Sequence, residues 1–356
     1  MSSVSMSRLN SRLNSGLGRV CSIRSAILAS AALLLWGSAF AHHSPASFDT
    51  RKTATLTGVV KRFEWFNPHV YITIEQTTAS GEKIDWEIEC FPPSAMARLG
   101  WSKDTMRVGD VLTVTGSPSR NPELRGFLAG SIKRADQVML DQSALSKSFS
   151  AGDRKFVAKG LEGTWMTVGN FSLISQFYFP PTVTMTPEGV QTFKNFDEKS
   201  MSTASNCIAV TAPGTMILPD LKRITLKDGV YSIEGEFDNG RRAIHLNEIL
   251  QEGVIPSHQG HSVATWQGKT LVIESTHFAF LGSGNGLGLP SGPKKRLVEK
   301  LTLSDDGTSL TYRFELNDPE FLKAPRIGET KWVYRPDLKF ASEPCNLESA
   351  RRFIRH

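Results

Sequence analysis

From residue 53 almost to the end of the chain, short runs alternate apolar and polar residues and stop at glycine, proline, asparagine or aspartate. A side-chain period of two suits a half-buried strand and does not suit a helix. The chain is therefore restricted to sheets that close on themselves or stack on one another.

The first half of the pattern is specific enough to suggest a topology. Residues 55–65, Thr-Leu-Thr-Gly-Val-Val-Lys-Arg-Phe-Glu-Trp, predict one long strand in which Gly58 permits a bend. Asn67-Pro68 turns the chain into a β-branched strand over 70–74, and Ala79-Ser80-Gly81 makes a hairpin into 84–88. Pro92-Pro93-Ser94 starts a short helix over 95–99. Strands follow at 111–115 and 127–138. Five short strands with one helix after the third predict an OB-type Greek-key barrel, with a small β-sandwich as the alternative.

Residues 141–158 are polar and serine-rich and predict a linker between a first domain at 42–140 and a second at 159–356. The second predicts strands at 164–168, 182–186, 223–226, 230–237, 241–246, 262–266, 270–276, 296–303, 309–316 and 331–334. Turns such as Lys227-Asp228-Gly229 and Asp305-Asp306-Gly307 separate them. About ten strands in an antiparallel meander suffice for a barrel or a sandwich. Gly163-Thr164-Trp165 resembles the Gly-x-Trp of lipocalin-type first strands. Helix is expected only as a turn at 318–322 and a terminal segment at 348–354. The fold class is therefore all-β, an OB-like barrel followed by a larger antiparallel barrel or sandwich.

The first 41 residues have a different character. Arg8, Arg12, Arg19 and Arg24 precede an apolar run at 26–35 that ends in Ala39-Phe40-Ala41. These are the parts of a signal peptide cleaved after Ala41, and they predict a periplasmic or secreted protein. The run is too short to span a membrane, which takes about 20 apolar residues. The whole chain carries 41 Lys+Arg against 35 Asp+Glu, but four of those arginines lie in the leader, so the mature form has 37 against 35. A balance so near neutral argues against nucleic acid as a partner. Cys90, Cys207 and Cys345 lie beyond the leader. In an oxidising compartment the simplest arrangement is a Cys207–Cys345 disulfide with Cys90 left over, and three buried thiols are the alternative.

Cleavage after Ala41 would leave His42 at the N-terminus. Its α-amine and imidazole, with a further imidazole from His43 or His69, offer nitrogen donors suited to Cu(II), and Asp49 offers an oxygen. Copper is the only cofactor the sequence suggests. In the second domain His258 and His261 have an H-x-x-H spacing, while His245 and His277 end strands and Glu299 lies within one. A site uniting His245, His261 and His277 at a barrel mouth is conceivable, with His261 or His277 as catalytic acid or base. No H-E-x-x-H or G-x-S-x-G is present. The glycine-rich stretch 282–288 lacks the Lys-Ser/Thr of a P-loop and predicts a surface loop or pocket lid. Phe171, Phe177, Tyr178, Phe179, Phe193 and Phe196 are candidates to line an apolar cavity.

His42-His43-Ser44, the strand Thr55-Leu56-Thr57-Gly58-Val59-Val60, Trp65-Phe66-Asn67-Pro68-His69 and Gly109-Asp110-Val111 together resemble an uncharacterised exported bacterial family. Its members open with His-His-Ser and carry Trp-x-Asn-Pro-His at a strand end. The stretch from Gly260-His261-Ser262 through Trp266-Gln267-Gly268-Lys269 to Thr276, with 296–303, Asp318-Pro319 and Cys345-Asn346, resembles a second β-rich exported family. That family often has acids where this chain has Gln267 and Lys269. Neither resemblance implies a substrate. The expectation is an exported binding protein with copper at the mature N-terminus and an apolar small molecule in the second domain. The rivals are an exported enzyme acting on a hydrophobic compound in the second domain, and a module that binds a protein partner.

Overall fold

Gly58 lets one strand serve two neighbours. The computed structural model describes residues 47–135, 137–141, 155–237, 240–250 and 253–354. Its first strand, β1 (Ala54–Trp65), pairs through residues 54–59 with β4 (Val111–Pro118) and through 59–65 with β2 (Val70–Thr77). A Cβ on Gly58 would lie 2.7 Å from the carbonyl oxygen of Glu75, so a side chain here would push the backbones apart. β2 turns into β3 (Lys83–Glu89), and β5 (Gly126–Arg134) joins β4 on one side and β3 on the other. The result is a closed five-stranded barrel with α1 (Pro93–Arg98) after its third strand, the OB-like order the sequence predicts. The strand expected at 127–138 is in fact two. The chain reverses at Ala135, which has a φ of +51°, and β6 (Gln137–Asp141) pairs back on β5.

The second barrel runs β7 (Gly163–Thr167), β8 (Leu221–Lys227), β9 (Val230–Gly235), β10 (Arg241–Leu246) and β11 (His261–Gln267). It continues with β12 (Thr270–Thr276), β13 (Arg296–Leu303), β14 (Ser309–Asn317) and β15 (Arg326–Tyr334), which pairs with β7 and closes the ring. Nine strands cannot alternate direction all the way round a ring, because an odd count leaves two neighbours pointing the same way. β10 and β11 are that parallel pair, and a long connection separates them in sequence, as such a pair requires. In the five-stranded barrel the same role falls to β3 and β5. The expected antiparallel meander is therefore correct except at this seam.

Between β7 and β8 lies a helical insertion where the sequence pattern predicted a strand and little helix. It holds α2 (Phe171–Tyr178), α3 (Pro187–Lys194), α4 (Glu198–Met201) and α5 (Gly214–Ile217). The strand expected at 182–186 is a 3₁₀ turn (Thr182–Thr184) leading into α3. Capping overrides β propensity here: Thr186 Oγ1 accepts a hydrogen bond from the Gly189 amide at 3.1 Å, and Pro187 opens the first turn.

The two interiors differ in kind. Leu56, Val60, Ile72, Ile74, Ile88, Leu112, Val114, Phe127 and Ile132 fill the first barrel. The second is packed with Trp165, Leu271, Ile273, Leu301, Leu310, Phe314 and Trp332, yet it also encloses charge. Arg242 donates from Nη1 to Glu299 Oε1 at 2.8 Å and from Nη2 to Ser275 Oγ at 2.7 Å, and a second bond joins it to Glu299 Oε2. Tyr312 donates its hydroxyl to Glu299 Oε1 at 2.6 Å, and Ser262 completes the layer. All five of these side chains are buried.

The C-terminal tail returns to the first barrel. Cys345 is bridged to Cys207 of the insertion, as expected, and Cys90 is a free, buried thiol. The bridge Asn67↔Cys345 ties the tail to the end of β1, and Trp65 Nε1 donates to Glu343 at 3.2 Å. Beyond α6 (Leu347–Arg351), Arg352 pairs with Glu64 at 2.7 Å and with Glu87 at 3.1 Å, lying over the Tyr71 ring. Phe353 packs edge-on against Phe48 at 5.0 Å. Both barrels lie in one compact unit.

Candidate functional site

Strand alternation decides what faces the junction of the barrels. Ile72 and Ile88 point into the first barrel, so Tyr71 and Glu89, which are cross-strand partners, point out. There they meet α1, the helical insertion and the tail, and a cavity of about 740 Å³ opens among them. Its apolar wall comes from Phe91, Phe171, Tyr178, Phe179, Leu287 and Phe353. Its polar groups include His69, Tyr71, Glu89, Arg98 and Asp220. Tyr71 donates its hydroxyl to Glu89 at 2.9 Å. Burial, and then the Glu89 charge, raise this phenol well above its ordinary range, so it remains a neutral donor. Arg98 reaches across to the buried Glu236 at 2.6 Å, an ion pair that joins the two barrels.

The structure places the metal candidates as follows. His69 sits at the start of β2 on the cavity wall, with Nδ1 3.0 Å from the Cys90 carbonyl oxygen and 3.8 Å from Glu89. An Nδ1–H donated to that carbonyl makes Nε2 the basic nitrogen of the ring. Asp49 is engaged otherwise. Arg51 at 3.1 Å, Lys52 at 3.6 Å and Arg120 at 3.9 Å surround it. The Arg51 hydrogen bond above all holds its carboxyl below the usual range, so it is spent on cations of the chain itself. His42 and His43 lie outside the described residues, as do the leader and residues 142–154 of the expected linker. Among the described residues no group of three or more His, Cys, Asp or Glu is arranged to hold a metal ion.

His245, His261 and His277 do lie side by side. The His245 and His261 rings have centroids 5.2 Å apart, and His261 and His277 are 6.5 Å apart. They occupy the outer surface at the ends of β10 to β12, since His245 alternates with the inward Ile244. Burial lowers the pKa of His261, and the neighbouring imidazoles add to the effect. His258 is exposed in the turn before β11.

The glycine-rich stretch is not a surface loop. Gly282, Gly284, Asn285, Gly286 and Gly288 are buried in it, Leu289 and Ser291 are fully buried just beyond it, and Leu287 forms part of the cavity wall. Lys295, just before β13, is also fully buried. It donates to the Gly284 carbonyl and to Thr211 Oγ1, both at 3.2 Å, and burial pushes its amine down to about 7. Of the six aromatic candidates, Phe171, Tyr178 and Phe179 line the cavity. Phe177 belongs to the second core, and Phe193 and Phe196 pack over Gly288. Sequence reasoning passed over Tyr71, Glu89, Arg98 and Asp220. The pairing of Tyr71 with Glu89 was available as a signal, because the hairpin register sets the two opposite each other.

Twelve solved chains match this one. A chain of the crystal structure of yeast Stn1 and Ten1 is similar at 12% identity over 36% of this chain, with a TM-score of 0.19. The present chain spans 62% of the length of that solved chain. No curated protein matches it. No helix among the described residues is long and apolar enough to cross a membrane. Residues 29–128, the stretch that contains His42, His43, His69, Tyr71, Glu89 and Arg98, match the model of a family of unknown function, DUF6152.

Proposed function

We propose that the protein is an exported binding protein that holds an apolar small molecule in the cavity at the junction of its barrels. One observation carries this reading: a space of about 740 Å³ with aromatic walls and a few convergent polar groups. Pockets of about 300–1,000 Å³ with such linings are the ordinary form of small-molecule sites. This reading sets the ligand at the border of the second domain rather than inside it, because apolar side chains fill that barrel's interior. Tyr71 and Glu89 would orient a polar end of the ligand against the outer face of β2 and β3.

Copper belongs to the same reading. Ser47 and His69 both line the cavity, and the four residues from Ser47 back to His43 can reach about 14 Å when extended. The α-amine and ring of His42, the ring of His43 and Nε2 of His69 are donors that fit Cu(II). The ion would stand at the edge of the apolar chamber.

The test uses two lining positions. Ala350→Trp, on the tail, and Ala204→Trp, on the insertion, would each put an indole into the cavity. Titrated with an environment-sensitive apolar dye, each variant should bind at least about tenfold more weakly than the parent, a change of about 1.4 kcal/mol. Unchanged affinity in both variants, with both folded, would remove the cavity as the site.

A further inference from the structure

We propose that His245, His261 and His277 form a second metal site, distinct from the terminal one, which takes zinc or a similar divalent ion. The argument begins with an atom that has no partner. His261 Nε2 is buried without a hydrogen bond among the described residues, and a buried polar atom left so requires a water or an ion to account for it. The two flanking rings are each fixed through the other nitrogen. His245 Nδ1 lies 3.2 Å from Glu248 Oε1, and His277 Nδ1 lies 2.8 Å from Thr276 Oγ1. In both rings Nε2 is the nitrogen outside these bonds. A carboxylate on the far nitrogen, as Glu248 supplies to His245, is a usual way a metal-binding imidazole is oriented.

The ring spacing identifies the geometry. With a metal–nitrogen bond of about 2.0–2.1 Å, a ring centroid lies about 3.2 Å from the ion. Two rings at a tetrahedral angle are then about 5.2 Å apart, and two rings on one ion can be at most about 6.4 Å apart. His245 and His261 already stand at 5.2 Å. His277, at 6.5 Å from His261, is just past the limit. As they stand the three rings are not arranged to hold an ion, and His277 must swing inward by about an ångström to bind with the others. Adjacent rings on a square-planar ion would stand closer, at about 4.5 Å, so the His245–His261 spacing is the one that fits a tetrahedral ion. Three imidazoles on a tetrahedral ion leave the fourth position for water. The parallel seam supplies the placement: β11 begins beside β10 after its long return, which brings His261 next to His245.

Cobalt(II) makes the site visible. Metal-stripped full-length protein titrated with Co(II) should develop the visible absorption of a tetrahedral nitrogen-ligated ion, saturating at one equivalent and erased by Zn(II). His261→Ala should abolish the band. The double variant His42→Ala/His43→Ala should keep it, which separates this site from the terminal one. Glu248→Gln should weaken Zn(II) binding about tenfold without changing stoichiometry, as loss of an orienting partner does. If His261→Ala fails to fold, His245→Gln and His277→Gln serve in its place, and each should remove the tetrahedral spectrum. A parent protein with no such band would overturn the proposal, as would a band that survives these substitutions or vanishes with the terminal pair.

Discussion

The two barrels solve one closure problem with opposite interiors. Each has an odd number of strands, and each therefore contains a single parallel pair, β3–β5 in the first and β10–β11 in the second. The first barrel is filled by aliphatic and aromatic side chains, and its buried Glu89 lies on the outer face. The second encloses Arg242, Glu299 and Tyr312 in one hydrogen-bonded layer, with Lys295 buried nearby. Size accounts for part of the contrast, because a five-stranded barrel is narrow enough for aliphatic residues to fill, while nine strands enclose a wider space. Long polar side chains can span that space when every donor meets an acceptor. The lesson is that topology fixes the seam and diameter, while the chemistry inside is set by what can be satisfied there.

The comparison breaks most sharply at the charged layer. Glu299→Leu alone should destabilise the second barrel by about 3–5 kcal/mol, because Arg242 is left buried without its counter-charge. Glu299→Leu combined with Arg242→Met should recover most of that loss in denaturant titrations. A double variant as unstable as the single one would show that packing, rather than the stranded charge, sets the cost.

Lys295 gives the next effect, and it depends on pH. Its amine titrates near 7 in the folded chain against an ordinary 10.5. Between those values the unfolded chain holds a proton that the folded chain has released, so stability should rise with pH by up to about 1.4 kcal/mol per unit. Below pH 7 the full cost of burying the charge is present. Lys295→Met should flatten the profile between pH 7 and 10, and an unchanged slope would assign it to other groups.

The smallest effect belongs to the apolar barrel. Ile72→Val should cost about 0.5–1.5 kcal/mol, with the same value at pH 7 and pH 9 by denaturant unfolding. A pH-dependent cost there would mean that the two interiors are less separate than their contents suggest.

The sequence showed the strands because alternation is local. β14 buries every second residue along Leu310, Tyr312, Phe314 and Leu316, and such a pattern needs no knowledge of partners. The helical insertion was hidden because its helices are too short to display a period of 3.6. Their caps were nevertheless present in Asn170, Thr186 and Asp197, each of which accepts a hydrogen bond from a first-turn amide. Arg242 could not be recognised as buried, because its counter-charge comes from a strand more than fifty residues away. The cavity was illegible for the same reason. Its walls come from β2, the insertion and the tail, and no window of sequence contains them together. His69 stood out through its motif, whereas Tyr71 beside it looked like one more strand residue.

The tail that crosses from the second barrel to the first has a consequence for how the molecule is made. Tyr71 emerges from the ribosome early, yet its hydroxyl lies 3.3 Å from the carbonyl oxygen of Ser349, 278 residues later. Phe48 likewise waits for Phe353. Synthesis runs at about 5–20 residues per second, so the outer face of the first barrel stays bare for tens of seconds while the second is still being built. During that interval the nascent chain displays an aromatic surface to anything that can hold it, and a chaperone that bound there would have to leave before residues 345–353 could take its place.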